Sequence, residues 1–114
     1  MAREKFQTLT EQMFYVLLCL REESCGMDLM ERIRRLTDGR VNVGPGTLYN
    51  LLEQFADEGY IVETACEGRR RSYRLTLRGE ERLRGEMNRL TAQMNDYQRL
   101  LGGGETPCEL GDGN

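Results

Sequence analysis

Two short stretches of the 114-residue sequence carry side chains suited to binding another molecule. The stretch GPGTLYN contains Gly46, Thr47, Tyr49 and Asn50. An Asn side chain can pair with N6 and N7 of adenine, and a Tyr hydroxyl can hydrogen-bond a phosphate. The stretch EGRRRS contains Arg69, Arg70 and Arg71. Because clustered arginines neutralise phosphates, the two stretches together predict a surface that binds double-stranded DNA.

Each stretch also has a plainer interpretation. Thr47, Tyr49 and Asn50 fit an ordinary solvated helix face, because polar residues are mostly exposed. The three arginines fit charges that protect the edge of a sheet. The helix that carries GPGTLYN precedes the arginines, and its N-terminal side chains are of the kind that read DNA bases. This context favours DNA contact over edge protection.

The sequence offers no catalytic or metal-binding constellation. It contains no histidine, and Cys19, Cys25, Cys66 and Cys108 stand 6, 41 and 42 positions apart without a CxxC pair. This spacing argues against a zinc site or a disulfide framework and favours reduced thiols in the cytoplasm. No activated nucleophile is evident, so we expect no enzyme activity, no cofactor and no metal. A redox switch formed by Cys25 and Cys66 stays open.

The distribution of charge favours a DNA partner although the net charge is −3. Three carboxylates in the last ten residues account for all of that net charge. Between Cys66 and Arg89 there are eight arginines and four glutamates, and such a basic segment on a neutral body is a footprint for nucleic acid. The sequence has no apolar run of about 18 residues, and MAREKFQTLTEQ lacks the layout of a secretion signal. We therefore expect no membrane partner.

Apolar spacing predicts three helices in the first part of the chain. They are placed at Thr8–Arg21, at Gly26–Thr37 and from Pro45 to a C-terminal cap at Gly59, with a short strand at Arg40–Val43. The residues expected to point inward are Leu29, Met30, Ile33 and Leu36 on the second helix and Leu48, Leu51, Leu52 and Phe55 on the third. The first helix is apolar on more than one side, which favours an oligomer.

The remaining sequence predicts a hairpin and a long helix. Segments with β-branched and aromatic residues flank Glu67-Gly68, with the arginines at or beside the tip and with Tyr73 and Leu75 inward. Thr76 is placed to cap a helix at Leu77–Leu101. Along that helix, spacings of 4, 3, 4, 3 and 4 predict a homodimer seam formed by Leu83, Met87, Leu90, Met94, Tyr97 and Leu101.

This order of elements predicts a mainly α fold with a small β-hairpin, namely a winged helix-turn-helix followed by a long C-terminal dimerisation helix. Residues 1–76 would form the DNA-binding domain and 77–101 the dimerisation helix. Residues 102–114 are Gly-rich and acidic, which is typical of a disordered tail. Recognition helices present their N-terminal residues to base edges, so the third helix would carry the residues that read the sequence.

The chain resembles the PadR-type transcriptional regulators in GPGTLYNLLEQFADEGYI at 44–61 and EGRRRSYRLTLRG at 67–79. The resemblance covers about residues 9–101, and the length is similar to that of the subfamily with one C-terminal helix. It implies a homodimeric repressor that binds a pseudo-palindromic operator. Relatives often carry Arg or Lys where this chain has Asn50, Glu53 and Gln54, which shifts phosphate contact toward the hairpin. The alternative is a winged-helix protein–protein adaptor that does not bind DNA.

The resemblance also implies a small-molecule effector, because some short members bind planar drugs at the dimer centre. The soft, adaptable side chains that would meet there are Met13, Phe14, Met87, Leu90 and Met94. The chain has no tryptophan to stack on a flat ring, so an apolar or aromatic ligand would be held by shape and burial. An ordinary dimer core accounts for the same residues.

Overall fold

Apolar periodicity and turn chemistry divide the chain into helices and short strands. The computed structural model describes residues 8–101, and the tail predicted at 102–114 lies outside them. The elements in chain order are α1 Glu11–Cys19, β1 Ser24–Cys25, α2 Gly26–Leu36, α3 Pro45–Asp57, β2 Ile61–Glu67, β3 Arg70–Leu75 and α4 Leu77–Leu101. The predicted mainly α fold with a β-hairpin and a long last helix is confirmed.

The first helix is shorter than predicted because a cap fixes its start. The Thr10 hydroxyl accepts a hydrogen bond from the backbone N–H of Met13 at 3.2 Å, so the helix begins at Glu11. Val16 and Leu17 are fully buried, while four residues pack half-buried against the same core: Met13, Phe14, Tyr15 and Leu18. Most of the apolar surface that suggested an oligomer therefore contacts the core of the protein itself.

The segment after α2 differs from the prediction in two ways. Leu36 was expected to point inward, but it is 57% exposed, while the next residue, Thr37, is buried in its place. Residues 40–43 form a loop and not a strand. The Thr37 side chain explains the loop, since its hydroxyl accepts from the Val41 N–H at 3.0 Å and donates to the Ile33 carbonyl at 2.9 Å. A backbone group satisfied by a side chain does not need a neighbouring strand.

The third helix forms as predicted. Its cap residue is Gly44 and Pro45 occupies the first turn, where a missing N–H costs nothing. The inward stripe is buried as expected, with Leu48, Leu51, Leu52 and Phe55 between 0% and 6% exposed. Gly59 ends the helix with a φ of 80°, which lets the Tyr60 N–H donate to the Phe55 carbonyl at 2.9 Å.

The sheet has three antiparallel strands in the order β1-β3-β2, so β3 lies in the middle. The predicted hairpin is β2 and β3, and it turns at Gly68, whose φ is 64°. The register shifts between Glu63 and Ala65, where β2 is irregular. Strand β1 was not predicted, because two residues are too few to show an alternation of apolar and polar side chains.

The first turns of α4 are anchored to the winged part of the fold. Thr76 caps the helix as predicted, since its hydroxyl accepts from the Gly79 N–H at 3.0 Å and donates to the Gly59 carbonyl at 2.6 Å. Gly79 is buried, and a Cβ atom there would lie 2.1 Å from the Tyr60 carbonyl oxygen. Further along, Leu83 is 4% exposed and belongs to the core cluster.

The chain divides into two compact units, the first ending at Leu83 and the second beginning at Arg84. The described part of the second unit is helix 84–101. Five residues of the predicted seam lie there with exposed side chains: Met87, Leu90, Met94, Tyr97 and Leu101. None of the helices in the described range, residues 8–101, combines the length and the apolar character of a membrane span.

The contact between Gly79 and the Tyr60 carbonyl yields a prediction about stability. Gly79→Ala should lower the free energy of unfolding by about 1–3 kcal/mol, because the added methyl group would push against backbone and not against a movable side chain. Urea denaturation followed by circular dichroism measures this loss.

Gly85→Ala is the matched control, because a Cβ atom at Gly85 would meet no described atom within 4 Å. It should raise the free energy of unfolding by up to about 1 kcal/mol through better helix propensity. Equal effects of the two substitutions would contradict the close approach at Gly79.

Candidate nucleic-acid interface

The N-terminal end of α3 presents a small polar surface. Its predicted site residues are all exposed: Gly46, Thr47, Tyr49 and Asn50. A Cβ atom at Gly46 would meet no described atom within 4 Å, so packing inside the described chain does not require glycine there. The open space at Gly46 leaves room for another molecule to approach the helix backbone.

The loop before α3 is tied to α1, which sets where α3 begins. Gln12 donates to the Asn42 carbonyl at 3.1 Å, and Arg40 donates to the Tyr15 hydroxyl at 3.1 Å and pairs with Glu11. These contacts join residues about 30 positions apart. The start of α3 is therefore held by side chains of α1 and not only by its own cap.

Tyr49 lies against the N-terminal end of α2. A Cβ atom at Gly26 would come within 2.6 Å of the Tyr49 hydroxyl oxygen, so the missing side chain of Gly26 makes room for the ring. Tyr49 nevertheless stays 50% exposed. Sequence reasoning missed this contact, because nothing in the local pattern pairs Gly26 with a residue in the next helix.

The three predicted arginines lie at and beside the hairpin turn, and all are exposed. Arg70 Nη2 lies 3.3 Å from Asp28 Oδ2, and Arg71 Nη1 lies 3.9 Å from Glu63 Oε1. Arg69 has no ion pair among the described residues. The pKa of Arg71 is raised above its ordinary value, first by hydrogen bonding with Tyr73 and then by the charge of the nearby Glu63 carboxylate. This guanidinium therefore stays charged.

A groove of about 540 Å³ lies between α3 and the hairpin. It brings together three of the predicted site residues, Tyr49, Arg69 and Arg71, while the other predicted residues do not line it. The remaining lining residues are Leu52, Glu53, Ala56, Asp57, Glu63 and Tyr73. The carboxylates were not predicted as site residues, although Tyr49, Glu53 and Asp57 recur every four positions and so share one helix face.

The described cysteines, Cys19, Cys25 and Cys66, carry free thiols. Cys25 lies buried in β1 opposite Ser72, and Cys66 is exposed in β2 opposite Arg71, so β3 separates the two residues of the suggested redox pair. Burial raises the pKa of the Cys19 thiol, which keeps it protonated and unreactive. No group of three or more metal-ligating side chains occurs in the part of the chain that the structure describes.

Residues of the predicted dimer seam and effector pocket are distributed over both units. Leu83 is buried in the core of the first unit, whereas the other five seam residues are exposed on the second. Met13 and Phe14 are half-buried on α1 in the first unit. The seam and the pocket stay predictions.

Three helices followed by a hairpin, with the third helix exposing its N-terminal face beside that hairpin, define a winged helix-turn-helix protein. The family model described as "Transcriptional regulator PadR-like family" matches residues 16–85. The chain therefore belongs to the PadR-like family of transcriptional regulators, as its sequence motifs predicted. This family is one of transcriptional regulators and not of enzymes.

The known proteins that are similar to this chain include the following three. Transcriptional activator GvpE of Haloferax mediterranei is 33% identical over 66 residues, which are 58% of this chain and 33% of GvpE, so the chain spans about a third of that relative. A transcriptional regulator from Clostridium thermocellum superposes with a TM-score of 0.69 at 24% identity, covering 78% of this chain and 91% of that one. PadR of Bacillus subtilis, solved in complex with operator DNA, gives a TM-score of 0.60 at 22% identity over 68% of this chain and 46% of its own. Both of these solved structures share the fold of this chain.

Proposed function

We propose that this protein is a sequence-specific, DNA-binding transcriptional regulator of the cytoplasm that acts as a homodimer on a pseudo-palindromic operator. The observation that carries the proposal is the groove that joins Tyr49 of α3 to Arg69 and Arg71 of the hairpin. The exposed N-terminal end of α3, whose Thr47 and Asn50 could read bases, is thus linked through Tyr49 to hairpin arginines that could hold the backbone. The operator complex of Bacillus subtilis PadR, which has the same fold, supports this assignment.

In the proposed complex, the N-terminal end of α3 enters the major groove. Asn50 would pair with an adenine edge, Thr47 would contact a neighbouring base, and the open face of Gly46 would let the helix come close. Tyr49, held against Gly26, would hydrogen-bond a phosphate. The arginines of the hairpin would contact the flanking phosphates or the minor groove.

The sign of regulation has two candidates. Resemblance to the PadR-type regulators favours a repressor, in which the bound dimer blocks transcription. An activator is the second candidate, because the similar protein GvpE is named a transcriptional activator. Run-off transcription from the promoter of the regulator's own gene separates them, since added protein would lower the transcript for a repressor and raise it for an activator.

The hairpin arginines yield the first test of DNA binding. Replacing Arg69, Arg70 and Arg71 together with Ala should weaken binding to every duplex and flatten its salt dependence. Each lost phosphate contact lowers the slope of log K against log salt by about 0.9. Fluorescence polarisation with a labelled duplex, titrated at several salt concentrations, gives both quantities.

Asn50→Ala is the contrasting variant, because it should cost about 1–3 kcal/mol on the cognate site only and relax the preference at one base pair. An unchanged salt slope in the triple-arginine variant would refute the DNA role of the hairpin. If the wild-type protein binds no duplex at low salt, the winged-helix adaptor takes the place of this proposal.

The exposed side chains on α4 support the homodimer. Met87, Leu90, Met94 and Tyr97 are between 38% and 66% exposed at alternating spacings of three and four residues. Such a narrow apolar stripe fits the seam of two associating helices. A second copy of the chain would cover the stripe and hold two α3 helices about 34 Å apart, one turn of DNA.

Leu90→Asp tests the seam, because it would bury a charge opposite its symmetry mate and split the dimer. Light scattering after size exclusion should then report a monomer, and binding to the operator should fall sharply. Asn88→Asp adds the same charge on the opposite face of the exposed helix and should leave the dimer intact. A Leu90→Asp protein that elutes as a dimer would exclude this stripe as the seam.

We further propose that a small apolar or aromatic molecule releases the DNA by binding between the subunits. Met87, Leu90 and Met94 supply exposed, adaptable side chains on α4, and Met13 and Phe14 supply half-buried ones on α1. A ligand that favours one of two dimer forms would change the operator affinity. The ordinary dimer core stays the alternative explanation of these residues.

A panel of aromatic acids and cationic dyes, added to the complex of protein and labelled operator, tests the effector. A true effector should lower the polarisation of the labelled operator, and Met94→Asp protein that remains dimeric should lose that response. If no compound changes the operator affinity, or if the Met94→Asp dimer responds equally, the interfacial pocket is wrong.

A further inference from the structure

Two of the three hairpin arginines are paired with carboxylates of the same chain. Arg70 lies 3.3 Å from Asp28 in the first turn of α2, and Arg71 lies 3.9 Å from Glu63 in β2. The side chains of Arg70 and Asp28 are 59% and 63% exposed. Water therefore reaches both members of this pair, and a competing anion can reach the Arg70 guanidinium.

We propose that Asp28 and Glu63 compete with DNA phosphates for Arg70 and Arg71, and so limit the affinity of the protein for every duplex by the same factor. This inference rests on the proposed function, because it concerns arginines that would contact DNA. Phosphate and carboxylate both accept hydrogen bonds from a guanidinium fork, and one fork cannot serve both fully. DNA binding must then break or share each pair.

The position of Asp28 follows from the fold and not from sequence proximity. Pairing of β1 with β3 sets Cys25 opposite Ser72, and α2 starts directly after Cys25. The first turn of α2 consequently lies beside the start of β3, although Asp28 and Arg70 are 42 positions apart. Tyr49 packs against Gly26 at the same end of α2. The Asp28 carboxylate therefore belongs to the surface that would face DNA.

The size of the effect follows from the exposure of the pair. Exposed ion pairs contribute little to stability, so breaking one reduces DNA affinity only about 1.5- to 5-fold. Phosphate contacts carry no sequence information, so the reduction applies equally to cognate and random DNA. A carboxylate that stays close to the phosphates also repels them, which lowers the DNA affinity further.

Asp28→Asn tests the competition, because it removes the charge and keeps the shape of the side chain. We expect the affinity for a random-sequence duplex to rise about 1.5- to 5-fold, and the affinity for a duplex selected by the wild-type protein to rise by the same factor. The matched control is Asp96→Asn, which makes the same substitution in the exposed pair between Asp96 and Arg99, 2.6 Å apart on α4. The gain is counted relative to this control.

A double-mutant cycle shows whether Asp28 acts through Arg70. In an Arg70→Ala background, Asp28→Asn should change the affinity no more than Asp96→Asn does. Glu63→Gln with Arg71→Ala gives the same cycle for the second pair, with a smaller gain because those groups lie further apart.

Three outcomes would overturn the inference. They are an Asp28→Asn protein that binds no more tightly than the control, a gain that persists without Arg70, or a loss of affinity, which would mean that the pair holds the hairpin in place. If the wild-type protein binds no duplex at low salt, the proposed function fails. If it binds, but the triple-arginine variant binds equally well, the DNA role of the hairpin and the competition fail together. If that variant loses affinity and Asp28→Asn gains none, only the competition fails.

Discussion

The double pairing of β3 determines where the charged hairpin lies. One edge of β3 bonds to β2 and forms the hairpin, while the other edge bonds to the two-residue strand β1. The Leu75 N–H also donates to the Leu20 carbonyl at 2.7 Å, which ties the end of β3 to the segment after α1. Without these contacts the hairpin would be marginal, because an isolated two-stranded ribbon is barely stable in water. Its arginines would then have no fixed position relative to α2 and α3.

The same pairing makes α2 part of the candidate interface. In a helix-turn-helix, the helix before the recognition helix usually crosses the DNA backbone. Here its first turn meets Tyr49 through Gly26 and Arg70 through Asp28. Three elements thus converge at one surface, and the charges there include carboxylates as well as arginines. The local excess of arginine in the sequence consequently overstates the positive charge that the free protein presents.

Sequence reasoning predicted the parts of the fold that depend on neighbours along the chain. The buried stripe of α3, the hairpin around Gly68 and the Thr76 cap all follow from periodicity or from residues a few positions apart. The loop at 40–43 was mistaken for a strand, because two buried valines resemble a strand and the Thr37 hydrogen bonds leave no trace in local composition. At the end of α2 the inward position is taken by Thr37 and not by Leu36. Apolar spacing favours the leucine over the threonine, so it could not place Leu36 at the surface.

The candidate site was predicted unevenly for the same reason. Residue type and spacing identified the exposed end of α3 and the arginines, since both are properties of short segments. The contacts of Gly26 with Tyr49 and of Asp28 with Arg70 join positions far apart, and only the three-dimensional arrangement brings them together. Sequence reasoning therefore predicted the arginines of the hairpin surface and missed the carboxylates that pair with two of them, Asp28 and Glu63.

The irregular register of β2 has a consequence for how the protein behaves at high concentration. Every residue from Val62 to Glu67 is exposed, and β2 is an outer strand of the described sheet. A regular, exposed outer strand invites strand-to-strand pairing with another molecule. The shift between Glu63 and Ala65 interrupts the repeat of backbone donors and acceptors, and Glu63 and Glu67 add charge along the same strand. The hairpin can thus remain exposed for a partner while its outer strand resists aggregation.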